Sequence, residues 1–165
     1  MAGGKIYYTF DTIFGKMIVV SDGAAVAAVQ LAAAAPALEG LADMSDRRTS
    51  DSLTDRAAIQ LDEYFNGKRR YFDIPINPQG TPFRLSVWNA LMQIPYGETR
   101  SYKQVAREIG NPDASRAVGM ANNKNPIMII IPCHRVVGSN GSLVGYAGGL
   151  DMKKGLLELE SAGLR

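Results

Sequence analysis

Cys133 and His134 are adjacent, and each is the only residue of its type in the 165-residue chain. A thiol beside an imidazole can become a thiolate, the form that attacks electrophiles. Arg135 follows and could favour the same anion. The alternative is a core cysteine acting as a small hydrophobe. Glu160 is the third candidate. It falls three and four residues after Leu157 and Leu156, at the edge of an apolar helix face. A carboxylate there needs a partner, and the sole histidine is the economical one. Thiol, imidazole and carboxylate form a nucleophile–base–orienter set. Neighbours in extended chain point to opposite faces, so Cys133 and His134 are expected to communicate through a water.

The elements that position these groups follow from periodicity. Ile127 to Ile131 reads as a buried extended segment that Pro132 ends. Upstream, Phe83, Val87, Ala90 and Leu91 fit one helix face, with Trp88 beside it. Ser101 is expected to cap a helix bearing Tyr102, Val105, Ala106 and Ile109. Gly110-Asn111-Pro112-Asp113 breaks the chain and caps a further helix, whose apolar positions are Ala114, Ala117, Val118 and Ala121. Two short helices joined by a glycine-containing turn make a helix-turn-helix. The outer face of the second helix carries Ser115, Arg116, Gly119, Met120 and Asn123. Arg116 in the first turn opposes the helix dipole, which leaves an ion pair with Asp113 or contact with nucleic acid to explain it. Asn140-Gly141 signals a hairpin, hence a β-wing. Asp151 is expected to cap a last helix with Met152, Leu156 and Leu159 on its apolar face and a Lys154–Glu158 pair outside.

The first eighty residues read differently. Three short strands, around Ile6–Phe10, Met17–Val20 and Val26–Leu31, form an antiparallel meander with a turn at Asp22-Gly23. Residues 32–50 are patternless and read as loop. Asp51 to Phe65 reads as a helix closed by Asn66-Gly67, Tyr71 to Ile76 as a last short strand, and Pro75, Pro78 and Gly80 as a linker. The expected fold class is therefore α+β, with domains at 1–80 and 81–165.

Composition bounds the rest. One cysteine forms no internal disulfide, which fits a reducing cytoplasm, and one Cys with one His cannot supply a structural zinc site. The N-terminus lacks the pattern of a signal peptide, and no stretch is long and apolar enough to span a bilayer. No metal, cofactor or membrane partner is expected. The net charge of +2 is uneven: residues 1–80 carry 8 Lys+Arg and 10 Asp+Glu, residues 81–165 carry 10 and 6. The basic second half suits a polyanion.

The run Asn125-Pro126-Ile127-Met128-Ile129-Ile130-Ile131-Pro132-Cys133-His134-Arg135-Val136-Val137 resembles the active-site signature of the O6-alkylguanine-DNA alkyltransferases. The resemblance extends from about Pro82 to Glu160 and is loose before it. It implies an RNase H-like N-terminal domain and a C-terminal winged helix-turn-helix that enters the minor groove of double-stranded DNA. It implies transfer of an alkyl group from O6 of a flipped guanine to Cys133, irreversibly, once per molecule. His134 would take the thiol proton, Glu160 would orient His134, Asn125 would brace the turn, and Tyr102 would donate to the leaving base. Read from its spacing alone, sharing a face with Val105 and Ile109, Tyr102 is a core tyrosine before it is a donor. By the same resemblance Arg116 fills the gap in the base stack. Lys103, Asn111, Ser115, Gly119 and Ser139 would meet the DNA, and Val136, Tyr146 and Ala147 would line the base pocket beside Tyr102. Asn122 stands where some relatives carry a large apolar residue, and Ala147 where some carry a hydroxyl. The expected state is a monomer, with cooperative loading on DNA left open. Two rivals are a lesion sensor of the alkyltransferase-like group, which lacks the cysteine, and a transcription regulator, whose extra segments do not fit in this length. The assignment carries the expectation that the Cys133 sulfur is open to solvent and close to the sole imidazole.

Overall fold

The computed structural model describes residues 4–37 and 52–164, which fall into two compact units, Met1–Pro78 and Gln79–Arg165. In the first, β1 (Ile6–Thr12), β2 (Gly15–Ser21) and β3 (Val26–Leu31) form an antiparallel sheet in that order. The register pairs Tyr8 with Val19 and Val19 with Val29, and a bulge falls between Val20 and Ser21. Asp22 accepts from the N–H groups of Ala24 and Ala25 at the second turn, and the connection is four residues, 22–25, rather than the two-residue hairpin turn expected at Asp22-Gly23. β2 is buried from Met17 to Ser21 because α1 (Ser52–Phe65) packs on the sheet, burying Ala57, Leu61 and Tyr64. Gly67, at φ 72°, closes α1: its N–H donates to the Tyr64 carbonyl and that of Lys68 to the Glu63 carbonyl. The strand expected over 71–76 is reduced to one parallel bridge, Val26 to Ile76, flanked by prolines that cannot donate. Residues 32–37, expected as loop, form a 3-10 turn, and the rest of that loop and Asp51 lie outside the described residues.

The second unit holds the helices. α2 (Pro82–Leu91) is capped by Thr81 and buries Val87, Trp88 and Leu91. The Trp88 indole donates to the Ala121 carbonyl at 2.9 Å, tying α2 to α4 (Ser115–Asn123). α3 (Tyr102–Glu108) is capped by Ser101, as expected, and Gln104 completes a full capping box with it. α4 does not: its N-cap is Ala114, with no side-chain bond, so Asp113 is not the cap. The last helix, α5 (Leu150–Ala162), likewise starts from Gly149 at φ 91° rather than from Asp151. The fold class is α+β and the helix-turn-helix pair is present. The hairpin wing is not: the 138–142 segment is a turn held by Gly138 donating to Ser142 and Gly141 to Gly138. The only strand pairing in this unit, among the described residues, is β4 (Arg100–Ser101) running parallel to β5 (Val136–Val137). Asn140 spends its side chain on the Ser142 N–H, so the chain closes on itself instead of laddering.

Candidate active site

The segment before the cysteine is buried but not extended. Ile130 N–H donates to Met128 and Ile131 N–H to Ile127, folding the five residues into a tight turn with Ile129 at φ 72°. That is the left-handed region, which costs a β-branched residue about 1–3 kcal/mol. The surroundings hold it there. Ile127, Ile129 and Ile131 are at most 1% exposed. Asn125 clips the turn shut, donating to the Ile131 carbonyl at 2.8 Å and accepting from the Ile127 N–H at 2.9 Å. Asn122 donates to the Cys133 carbonyl at 3.2 Å, while its own Oδ1 is buried without a partner. Buried and polar, Asn122 therefore supports the turn that carries the cysteine. Cys133 to Arg135 then form one 3-10 turn that leads into β5.

His134 is fully buried, and its Nε2 lies 2.8 Å from Glu160 Oε1. With Nε2 donating to the carboxylate, Nδ1 is the nitrogen that can take a proton. Glu160 has a second strong partner that the sequence reading did not assign. Arg135 donates to both carboxylate oxygens, through Nε at 3.1 and 3.0 Å and Nη2 at 2.7 Å, and also to the Ile94 carbonyl. The Gly97 N–H donates to Oε2 at 3.2 Å. Burial alone would raise the Glu160 carboxyl, but the hydrogen bonds from His134 and Arg135 outweigh it and hold it at about 2. Burial lowers the basicity of His134, with the Glu160 bond opposing it.

Burial also pushes the Cys133 thiol up to about 11, against the Asn125 amide and the nearby Lys153 charge, which favour the thiolate. Cys133 is 3% exposed. Two expectations are corrected here. The sulfur is not open to solvent in this conformation, and Arg135 is committed to Glu160 rather than to the thiol. A cysteine in the floor of a folded core pays desolvation first, and one neighbouring cation does not cancel it.

The remaining candidates separate into an inner and an outer group. Tyr102 is half-buried; burial and the nearby Cys133 raise its hydroxyl, which donates to the Val144 carbonyl at 2.8 Å. Tyr146 has a buried hydroxyl without a hydrogen-bond partner, raised well above its usual value by burial and by Cys133 and Glu160. Val136 is fully buried in β5, and Ala147 is exposed. Outside, a cleft of about 340 Å³ is lined by Tyr102, Ser115, Arg116, Gly119, Asn123, Val144 and Gly145. Arg116 is exposed and makes no ion pair with any described residue, Asp113 included. Lys103, Asn111 and Ser139 are exposed but do not line that cleft. Lys153 and Asn123 were missed as site residues. Lys153 is fully buried on α5, three and four residues before Leu156 and Leu157 and seven before Glu160, so the spacing that put Glu160 at the edge of the buried face would have found it too. Among the described residues no cluster could hold a metal ion and no helix is long and apolar enough to cross a membrane.

Two family models match the chain: the DNA-binding domain of 6-O-methylguanine DNA methyltransferase over residues 82–162, and its ribonuclease-like domain over 5–78. A methylated-DNA–protein-cysteine methyltransferase of Methanosarcina acetivorans is 61% identical over 106 residues, 64% of this chain and 68% of that protein. One from Mycobacterium tuberculosis is 55% identical over 106 residues, 64% of each chain. The crystal structure of the Mycobacterium tuberculosis O6-methylguanine methyltransferase superposes with a TM-score of 0.82 at 39% identity, covering 96% of this chain and 94% of that one. A second structure from that organism, in complex with DNA, gives 0.82 at 41% identity over 95% and 93% of the two chains.

Proposed function

Because this chain belongs to the 6-O-methylguanine DNA methyltransferase family, we propose that it repairs duplex DNA by taking the alkyl group of O6-alkylguanine onto Cys133, once per molecule. The observation that carries the reading is the buried pair that follows the cysteine in its turn: His134 Nε2 lies 2.8 Å from Glu160, whose carboxyl is held at about 2.

The chemistry follows from the charges. At neutral pH the resting sulfur is a thiol and the imidazole is neutral, because burial disfavours both charged forms. The thiol proton passes through a water to Nδ1 of His134, and the resulting imidazolium is held by the Glu160 carboxylate 2.8 Å away. Sulfur attacks the alkyl carbon in line. The C–S bond forms, the C–O6 bond breaks, and the electron pair leaves on guanine. Tyr102 donates its hydroxyl to the departing base, and Asn125 keeps the turn rigid as the sulfur changes charge. Breaking the new C–S bond would need a second nucleophile to attack the same carbon and displace a thiolate, a poor leaving group, so the protein is spent.

A base must leave the stack to reach a sulfur at this depth, at a few kcal/mol of unstacking. Arg116, exposed on the cleft rim without an ion pair to a described residue, suits the vacated position in the stack. Small residues Ser115 and Gly119 beside it favour close approach to the narrow minor groove. Intact-protein and peptide mass spectrometry after incubation with an O6-methylguanine duplex tests the reading. One added methyl, on Cys133, is expected; unchanged mass with tight lesion binding would indicate a sensor instead.

A further inference from the structure

The carbonyl oxygen of Val144 accepts two hydrogen bonds, from the Tyr102 hydroxyl at 2.8 Å and from the Lys153 ammonium at 3.0 Å. A carbonyl has two lone pairs, so both donors fit at once. They differ in what else they can reach. Tyr102 lines the cleft, as does Val144. Lys153 is fully buried, with its ammonium 5.8 Å from the centroid of the Tyr102 ring. A buried ammonium needs acceptors, and this one stays on the protein side of the Val144 carbonyl. The Lys153 charge favours the Cys133 thiolate, and Cys133 in turn raises the Tyr102 hydroxyl.

We infer that the Val144 carbonyl parks the Tyr102 hydroxyl until a base arrives, and that Lys153 is a positioning residue that keeps this carbonyl satisfied when the hydroxyl transfers to the base. This rests on the proposed role of Tyr102 as donor to the leaving guanine. Val144 is 46% exposed, so water can replace a lost donor while the cleft is open. Once a base fills the cleft that water is excluded, and without Lys153 releasing the hydroxyl would then leave the carbonyl with no donor, which opposes the exchange. With Lys153 in place, one hydrogen bond to Val144 is traded for one to substrate. The arrangement also explains why a lysine is sunk into α5 where an apolar residue would pack at less cost.

The test is a double-mutant cycle on the rate of methyl transfer from duplex O6-methylguanine, with Tyr102→Phe, Lys153→Met and the pair. Each single substitution is expected to slow transfer at least about tenfold, and the double no more than about threefold beyond the slower single, because a hydroxyl that cannot be released is worth little. Losses that multiply would overturn the inference. A slow Tyr102→Phe beside an unaffected Lys153→Met would overturn it too, leaving the role of Tyr102 intact. No transfer by the unsubstituted protein would instead remove the functional reading beneath both. Lys153→Gln, which keeps a neutral donor, is expected to recover at least about threefold of what Lys153→Met loses; no recovery counts against the clamp. If Lys153→Met does not fold, amide exchange in Tyr102→Phe decides. The Gly145 and Tyr146 amides should exchange within about threefold of the unsubstituted rate, because Lys153 still holds Val144; a tenfold rise would overturn the inference.

Discussion

A sulfur held at about 11 is a poor nucleophile on its own. Iodoacetamide, added without DNA, should therefore modify Cys133 slowly at neutral pH, with a rate that climbs toward pH 11 rather than levelling near 8.5. A plateau at 8.5 in the pH–rate profile would show an ordinary, open thiol. Asn125 gives a second residue-level expectation. Asn125→Ala removes two buried hydrogen bonds from the turn that bears a strained Ile129, and should cost about 2–4 kcal/mol in chemical denaturation. At this scale the sequence was informative where residue types are rare. A lone His and a glutamate at the edge of an apolar face pointed to the His134–Glu160 contact. Arg135 was less legible, because the same residue type on a surface would look identical; only the fold shows that it clamps Glu160.

At the scale of the helix pair, α4 turns Ser115, Arg116, Gly119 and Asn123 toward the cleft. A Cβ added to Gly119 would meet only the Tyr102 ring, at 3.7 and 3.8 Å, which is ordinary packing distance. No contact inside the protein therefore requires glycine there. Gly119→Ala should leave stability unchanged or raise it by about 0.5–1 kcal/mol, by helix propensity, in thermal melts. The same variant should weaken binding to duplex DNA by about fivefold in fluorescence anisotropy, equivalent to about 1 kcal/mol; unchanged binding would remove Gly119 from the contact face. Arg116→Ala should slow repair of duplex substrate about tenfold or more while leaving dealkylation of free O6-benzylguanine unaltered, since only the duplex must be unstacked. Equal losses in the two rate assays would reject the gap-filling role. Helix existence and faces were readable from period 3.6 spacing. The caps of α4 and α5 and the wing were not, because local side-chain bonds and a glycine at positive φ took over the ends.

Across the whole molecule, the buried ionisable groups make stability depend on pH. His134 has a folded-state value below its ordinary 6.5, so the unfolded chain binds more protons and stability falls as pH drops below about 6.5. Glu160, held at about 2 against an unfolded value of 4.5, adds a further loss as pH falls from 4.5 toward 2. Thermal midpoints should therefore decline on acidification in that order, and Glu160→Gln should flatten the lower part of the curve. The two-unit architecture was only half legible. The linker signals at Pro75, Pro78 and Gly80 bracket the boundary at 78, yet the short strand before it reduced to one bridge because prolines removed its donors. The central claim is that Cys133 keeps what it takes. A titration of excess O6-methylguanine duplex against the protein, counting repaired bases by nuclease digestion, measures this directly. The account predicts that repair stops at one base per protein molecule, with none for Cys133→Ser. Repair that continues beyond that equivalence, or that survives loss of the sulfur, would contradict it.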